Sequence, residues 1–185
     1  AVKAECDICC TSANAVKIVE SLPNEEILFV PDQNLGHYVS TKTKKKMILY
    51  PGFCITHKRL QAEQVRQARE AHPEAVVLVH PECTPEVIAQ ADAVMSTSQM
   101  VKYAKESQAQ SFLIGTEEGL LHRLKLENPN KSFYLMCNAL VCPNMKRTTL
   151  DRVLKTMEEQ RNRIVIPEDI RLKALRTVER MLAVV

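Results

Sequence analysis

Cysteine and histidine are the residue types in this sequence best suited to metal or acid–base chemistry, with seven of the former and five of the latter. Cys54 and Cys142 each stand four residues before a basic pair, Lys58-Arg59 and Lys146-Arg147. Thiolates are soft ligands that suit zinc and iron–sulfur clusters. An odd number of cysteines without a recognisable secretory signal favours metal ligands or unpaired thiols over a disulfide framework. We therefore expect metal ligands or free thiols in a reducing compartment.

An imidazole and a carboxylate stand together at His80-Pro81-Glu82-Cys83, directly after the apolar run 75–79. His80 and Glu82 are two residues apart and suit either an acid–base pair or metal ligation. A solvated loop with a helix-capping Glu82 explains the pattern equally well. His57, three residues after Cys54, is either exposed at a helix start or directed at a cofactor. The remaining histidines occupy ordinary surface or helix positions.

Hydroxyl side chains mark two predicted turns between a strand and a helix, Thr11-Ser12 and Ser96-Thr97-Ser98. Ser and Thr commonly cap helices, and for one turn alone capping is the better interpretation. Two such turns at equivalent places favour binding the two ends of a dianionic ligand, because amide groups at helix N-termini attract anions.

A second group of cysteines, Cys6, Cys9 and Cys10, includes a pair with the spacing of redox or zinc sites. The group is predicted to span a helix end and a strand, and Cys9 aligns with the apolar Val94 in the repeat described next. We interpret all three as small core residues. A zinc site at these three thiols is the alternative.

An internal repeat appears when the sequence is shifted by 85 residues against itself. Residues 7–17 then fall on 92–102 without a gap, and 27–30 fall on 112–115. A further slip of three residues brings Cys54 onto Cys142. A threefold repeat would bring one such cysteine from each unit to a common centre, where three thiolates would leave one iron of a cluster open to substrate.

Short apolar strands alternate with amphipathic helices in both units, which predicts parallel sheets covered on both faces. We predict strands at 75–79, 93–95, 112–114 and 133–135, with helices at about 85–91, 98–106, 119–126 and 150–159. The predicted class is α/β, with two homologous three-layer αβα units. Their predicted ranges are 1–74 and 75–160, followed by a strand at 164–166 and a helix within 161–185.

The first unit lacks a counterpart of the strand at 75–79, because Ala1 aligns with Glu86 in the repeat. A parallel sheet without that strand would expose backbone donors and apolar side chains. We therefore expect further residues upstream of Ala1. By the same alignment, the strand predicted at 164–166 opens another copy, and we expect it to close onto an N-terminal domain.

Composition excludes several other classes of protein. The net charge of +3 and the 4% aromatic content give little support to nucleic-acid binding. No apolar run approaches the roughly 20 residues that cross a bilayer. We expect a cytoplasmic protein with no nucleic-acid or membrane partner.

Six blocks of this chain match one known family in the family's own order. They are residues 10–15, 30–36, 51–57, 79–83, 96–99 and 141–146. With these blocks the whole chain resembles the quinolinate synthases, iron–sulfur enzymes of NAD biosynthesis. The resemblance implies three similar α/β domains around a pseudo-threefold axis, of which this chain holds the last two.

The resemblance also implies a 4Fe–4S cluster held by one cysteine per domain, two of them matching Cys54 and Cys142. The reaction implied is a transferase condensation of iminoaspartate with dihydroxyacetone phosphate to quinolinate, with the open iron as Lewis acid. Glu82, His80 and His57 would be catalytic and would contact substrate. Ser12 and Thr97 would hold substrate carboxylates. An aspartate oxidase or dehydrogenase that produces iminoaspartate would be the metabolic partner.

The family's first domain, with the third cysteine ligand, is absent from these residues. Two cysteines cannot hold such a cluster with normal affinity, so we predict that this polypeptide made alone is inactive and poorly folded. A non-catalytic α/β module that binds anions at the two hydroxyl turns is the alternative.

Overall fold

The computed structural model describes residues 1–184. Two short 3₁₀ helices occur in that range, at Lys3–Glu5 and Met145–Arg147. The strands are β1 Glu26–Phe29, β2 Lys46–Leu49, β3 Val76–Val79, β4 Ala93–Val94, β5 Ser111–Gly115 and β6 Ser132–Leu135. The helices are α1 Ala15–Ser21, α2 Gln33–Ser40, α3 Ile55–Lys58, α4 Ala62–Ala71, α5 Pro85–Ile88, α6 Thr97–Glu106, α7 Leu120–Glu127, α8 Leu150–Glu159 and α9 Glu168–Leu182.

The larger sheet has four parallel strands in the order β4-β3-β5-β6. Its register pairs Val76 with Phe112 and Phe112 with Phe133. Successive side chains of β3 point to opposite faces. Val77 and Val79 pack with Leu60 and Val65 on one face, and Leu78 packs on the other face in a separate cluster. The continuous apolar run thus becomes a strand buried on both sides, and the predicted three-layer α/β class is confirmed.

The smaller sheet pairs β1 with β2 in parallel from Glu26↔Lys46 to Phe29↔Leu49. Helix α2 lies very close to this sheet at Gly36. A Cβ on Gly36 would come within 2.6 Å of a Leu49 methyl group and 2.9 Å of the Phe29 ring. The opposite face is uncovered within the described residues, where Leu28 is 68% exposed. A residue with a side chain at position 36 would push the helix and the sheet apart.

The internal repeat predicted from sequence is present as a repeated order of elements. At shifts of 85 to 88 residues, β1 corresponds to β5, β2 to β6, and α4 to α8. The same backbone hydrogen bond closes both cysteine turns: Lys58 N–H donates to the Cys54 carbonyl at 3.0 Å, and Lys146 N–H donates to the Cys142 carbonyl at 3.1 Å.

Contacts group the described residues into two compact units, one comprising 12–141 and the other comprising 1–11 together with 142–184. These two units are defined by contacts between residues, whereas the ranges 1–74 and 75–160 were predicted from sequence repetition. The predicted boundaries at 74 and 160 therefore stay predictions. In the second unit α9 packs on the N-terminal 3₁₀ helix, and the Cys9 thiol and backbone N–H both point to the Thr177 carbonyl at 3.4 Å.

Two details of this second unit differ from the sequence-based expectation. Residues 164–166 form no strand and their side chains are exposed, because a strand requires a partner for its backbone groups and none pairs with them within residues 1–184. Cys9 and Cys10, expected on a strand, lie in irregular chain and are half-buried.

Within the described residues, the helices are all too short or too polar to span a bilayer.

Candidate active site

The carboxyl ends of four strands place the candidate site in the unit formed by residues 12–141. Asp32 follows β1, Cys54 follows β2, His80 follows β3 and Thr116 follows β5. Strands β1 and β2 belong to the smaller sheet, and β3 and β5 belong to the larger one. Within each sheet the parallel strands end at the same edge, where loops and helix starts leave polar groups available to ligands. The fold thereby gathers side chains up to 104 residues apart, from Ser12 to Thr116.

His57 lies in the short helix α3 and is hydrogen-bonded at both ring nitrogens. Nδ1 lies 2.9 Å from Glu82 Oε2, and Nε2 lies 2.9 Å from Thr116 Oγ1. Burial opposes a charge on the ring, but hydrogen bonds to Cys54 and Glu82 outweigh it and raise the pKa of His57 to about 9. At neutral pH the ring is therefore a cation that donates to Glu82 and to Thr116.

His80 is buried beside it as a neutral ring. Its Nδ1 accepts the backbone N–H of Glu82 at 3.2 Å, so in the neutral ring the proton lies on Nε2, which donates to Ser12 Oγ at 3.2 Å. Burial and the nearby His57 cation lower the pKa of His80 to about 4. The Ser12 hydroxyl accepts this bond and can direct its own proton toward a ligand.

Glu82 and Cys54 are the acidic side chains that face His57. Burial raises the pKa of Glu82, but the hydrogen bond from His57 and the positive charge of that ring lower it overall. The hydrogen bond to His57 also lowers the pKa of the Cys54 thiol. One potential ligand atom each of Cys54, His57 and Glu82 lies within 4.8 Å of the other two. The arrangement offers a sulfur, an imidazole nitrogen and a carboxyl oxygen to one centre.

Two buried polar side chains hold this centre in place. Asp32 Oδ2 accepts the Cys54 backbone N–H at 2.7 Å, while Oδ1 accepts that of Leu35 at 2.8 Å and so caps α2. Asn34 Nδ2 donates to the Glu82 carbonyl at 3.1 Å. Burial raises the pKa of Asp32, against the lowering effect of the backbone donors.

The predicted site residues fall into two groups. Cys54, His57, His80, Glu82 and Ser12 come together as described. Thr97 is exposed in the first turn of α6, while its neighbour Ser96 is buried and used in a capping box with Gln99. Cys142 and Thr11 belong to the other contact-defined unit.

The remaining cysteines have different surroundings. Burial raises the pKa of Cys83 to about 12, and its thiol points at the Gly115 carbonyl at 3.4 Å. Burial raises the pKa of Cys10 to about 11. High pKa values make both thiols poor ligands and nucleophiles at neutral pH.

Sequence reasoning did not single out Thr116, Asp32 or Asn34. Each had a usable signal: Thr116 directly follows β5, Asp32 lies between β1 and α2, and Asn34 is in the first turn of α2. Polar residues at the carboxyl ends of all the parallel strands, and not only those after 75–79, were candidates.

Comparison with known proteins bears on what this site does. Residues 1–183 match the family model described as quinolinate synthetase A protein. The chain is 52% identical over 184 residues to the quinolinate synthase of Alkaliphilus metalliredigens, which covers 99% of this chain and 61% of the relative. It is 50% identical to that of Geobacter metallireducens, covering 100% and 60%, and 51% identical to that of Dehalococcoides mccartyi, covering 100% and 61%. The chain thus spans about three fifths of the length of these relatives.

Proposed function

This chain belongs to the quinolinate synthetase A protein family, and from that membership we propose that the complete gene product is a quinolinate synthase. The proposed substrates are iminoaspartate and dihydroxyacetone phosphate, and the products are quinolinate, phosphate and water. The reaction forms one carbon–carbon and one carbon–nitrogen bond with dehydration. The observation that supports it is the cluster of Cys54, His57 and Glu82 at the ends of the parallel strands.

The cofactor we propose is a 4Fe–4S cluster, and Cys54 has the properties of a ligand for it. Its thiol is half-buried, its pKa is lowered by His57, and its backbone is anchored by Asp32. Cys142, its counterpart in the repeat, is the second proposed ligand, and the third belongs to the part of the relatives that these residues do not cover. When bound, the cluster supplies an open iron that acts as a Lewis acid.

Glu82 is the proposed proton-transfer residue. It is a carboxylate with two histidines beside it, so it can accept a proton from a substrate carbon and return it to a leaving oxygen. His57 stabilises the charged form by donating from Nδ1, and Thr116 holds the His57 ring from the other side. His80 orients the Ser12 hydroxyl by donating to it.

Substrate binding is assigned to hydroxyl groups in the two turns between a strand and a helix and to the imidazoles of this centre. Ser12 and Thr97 would donate to substrate carboxylates, while His57 and His80 supply hydrogen bonds near the reacting atoms. Ser96 is engaged in capping α6, which supports Thr97 over Ser96 for this role. The proposed location of the protein is the cytoplasm, with an enzyme that makes iminoaspartate as its metabolic partner.

The test is an anaerobic assay of the complete gene product after reconstitution with iron and sulfide. Quinolinate formation and the visible absorption of an iron–sulfur protein are expected. Glu82→Gln should keep the colour and lose activity, Cys54→Ser should lose both, and His37→Gln, an exposed change on α2, should lose neither. A protein that stays colourless and binds dianions would instead be an anion-binding module.

The 185-residue polypeptide should be tested in parallel in the same assay. It carries only two of the three proposed cysteine ligands, so we propose that it makes no quinolinate when produced alone. Quinolinate formation by this form would contradict the assignment of the third ligand to a region outside it.

A further inference from the structure

The three side chains Cys54, His57 and Glu82 also have the composition of a mononuclear metal site. We propose that, when no cluster is bound, they form a site for a single Zn²⁺ ion, and that zinc there prevents cluster assembly. Zinc in proteins takes thiolate, imidazole and carboxylate ligands at about 2.0–2.3 Å. The zinc site stands on the geometry described above, whereas its competition with the cluster rests on the proposed function.

The spacing of the ligand atoms suits a tetrahedral ion. Bond lengths of about 2.0–2.3 Å place tetrahedral ligand atoms about 3.3–3.6 Å apart. His57 Nδ1 and Glu82 Oε2 are 2.9 Å apart, and the atoms of the three residues are all within 4.8 Å. Zinc therefore takes the place of the proton between His57 and Glu82, and no pair of ligand atoms has to move by more than about 1.5 Å to reach the tetrahedral spacing.

The residues behind the ligands are arranged as in established zinc sites, where a ligating histidine donates its other N–H to a fixed partner. Here Thr116 Oγ1 lies 2.9 Å from Nε2 and is 1% exposed. This bond leaves Nδ1 as the nitrogen that faces the ion. Asp32 anchors the backbone N–H of Cys54, and Asn34 anchors the carbonyl of Glu82. All three ligands are thus held in position by other parts of the chain.

An ion at this centre would remain reachable from solvent. The Glu82 side chain is 25% exposed, against 10% for His57. Three protein ligands leave the fourth tetrahedral position to water, the pattern of zinc sites with an open position. Because Cys54 is also a proposed cluster ligand, zinc and the cluster cannot occupy it together.

The test uses the complete gene product, reduced, freed of metal and titrated with Zn²⁺ against a chromophoric chelator. One equivalent of zinc is expected at this site. Cys54→Ser and Glu82→Gln should weaken it at least tenfold, and Thr116→Val, which removes a bond behind the ligand, should weaken it about 10–100-fold. Thr116→Ser keeps the hydroxyl and should restore most of the affinity.

Cys142→Ser separates this site from the cluster. It should leave zinc affinity unchanged while abolishing cluster assembly. Titration with Co²⁺ gives an independent signature, because its thiolate charge-transfer band should disappear in Cys54→Ser and persist in Cys142→Ser. Circular dichroism of each metal-free variant identifies any that fail to fold.

The proposed zinc site would be overturned if Cys54→Ser left zinc binding unaffected, and Cys6, Cys9 and Cys10 would then be the ligands. It would also be overturned if Cys142→Ser weakened zinc binding as much as Cys54→Ser does. Zinc-loaded protein should take up iron and sulfide several-fold more slowly, with recovery after chelation. Unchanged uptake would overturn the competition. Failure of the zinc-free protein to form a cluster would count against the proposed function and leave the zinc site standing.

Discussion

The imidazole rings of His57 and His80 stack with their centroids 4.3 Å apart and their planes inclined by only 10°. They differ in charge, because the pKa of His57 is raised to about 9 and that of His80 is lowered to about 4. Two stacked cations would repel each other, and the arrangement avoids this by protonating only the ring that faces Glu82. Glu82 therefore has one cationic and one neutral neighbour at pH 7.

Replacing His57 with Gln should lower kcat for quinolinate formation by about 10²-fold or more, the usual size of a lost proton-transfer partner. The change removes the cation that keeps Glu82 ionised and leaves Thr116 without its ring partner. The measurement is the anaerobic assay at saturating substrates, with iron content determined in parallel. A folded, iron-replete variant with unchanged kcat would remove His57 from the reaction.

Asp32→Asn should destabilise the protein and loosen the cluster. The carboxylate accepts backbone N–H groups from both Leu35 and Cys54, whereas an amide has one oxygen and must turn its NH₂ toward the other donor. A buried donor left unsatisfied costs about 1–3 kcal/mol. Urea unfolding of the metal-free protein should show this loss, and the visible absorption of the reconstituted variant should bleach faster in air. Asp151→Asn on the exposed surface of α8 should show neither effect.

The elements of the larger sheet could be predicted because local pattern and tertiary structure agree there. The run predicted as a strand at 75–79 is β3, and the helix predicted at 98–106 is α6, which begins one residue earlier at Thr97. Continuous β-branched and aliphatic residues fit a strand buried on both faces. The segment at 164–166 has the same apolar character but no strand beside it in the described residues, so the pattern alone was not sufficient.

The site could be predicted only in part. Cys54, His80 and Glu82 carry chemistry in their residue types and follow recognisable strands. The role of Thr116 depends on a contact with His57, 59 residues earlier in the chain, and threonine is too common in turns to signal it. Contacts of this kind are set by which loops meet, and residue type does not encode them.

Gly52→Ala should disturb the turn that leads into Cys54. A Cβ at this position would clash with the Pro31 carbonyl oxygen and come within 2.8 Å of the Tyr50 ring, and a backbone atom cannot move aside without moving the loop. Crowding of this kind costs about 1–3 kcal/mol. We expect a lower urea midpoint and less iron per chain after reconstitution. Gly119→Ala, at an exposed position with helical φ of −59°, is the matched control and should be neutral or slightly stabilising.

Asp92→Asn should reduce stability at neutral pH and much less in acid. Asp92 accepts from Val77 N–H and from Arg69, both at 2.7 Å. Burial raises the pKa of Asp92, but these bonds lower it overall. The unfolded chain then binds this proton more readily, so the stabilisation is present above the ordinary carboxyl pKa of about 4 and disappears as the pH falls through the lower folded pKa. In thermal melts of the metal-free protein, the melting temperature of the variant should lie a few degrees below that of wild type at pH 7. This difference in melting temperature should narrow below pH ~4. The control Glu70→Gln, on the exposed side of α4, should melt at the wild-type temperature at pH 7. A gap that stays constant through the acid range would contradict the ionic origin of this stabilisation.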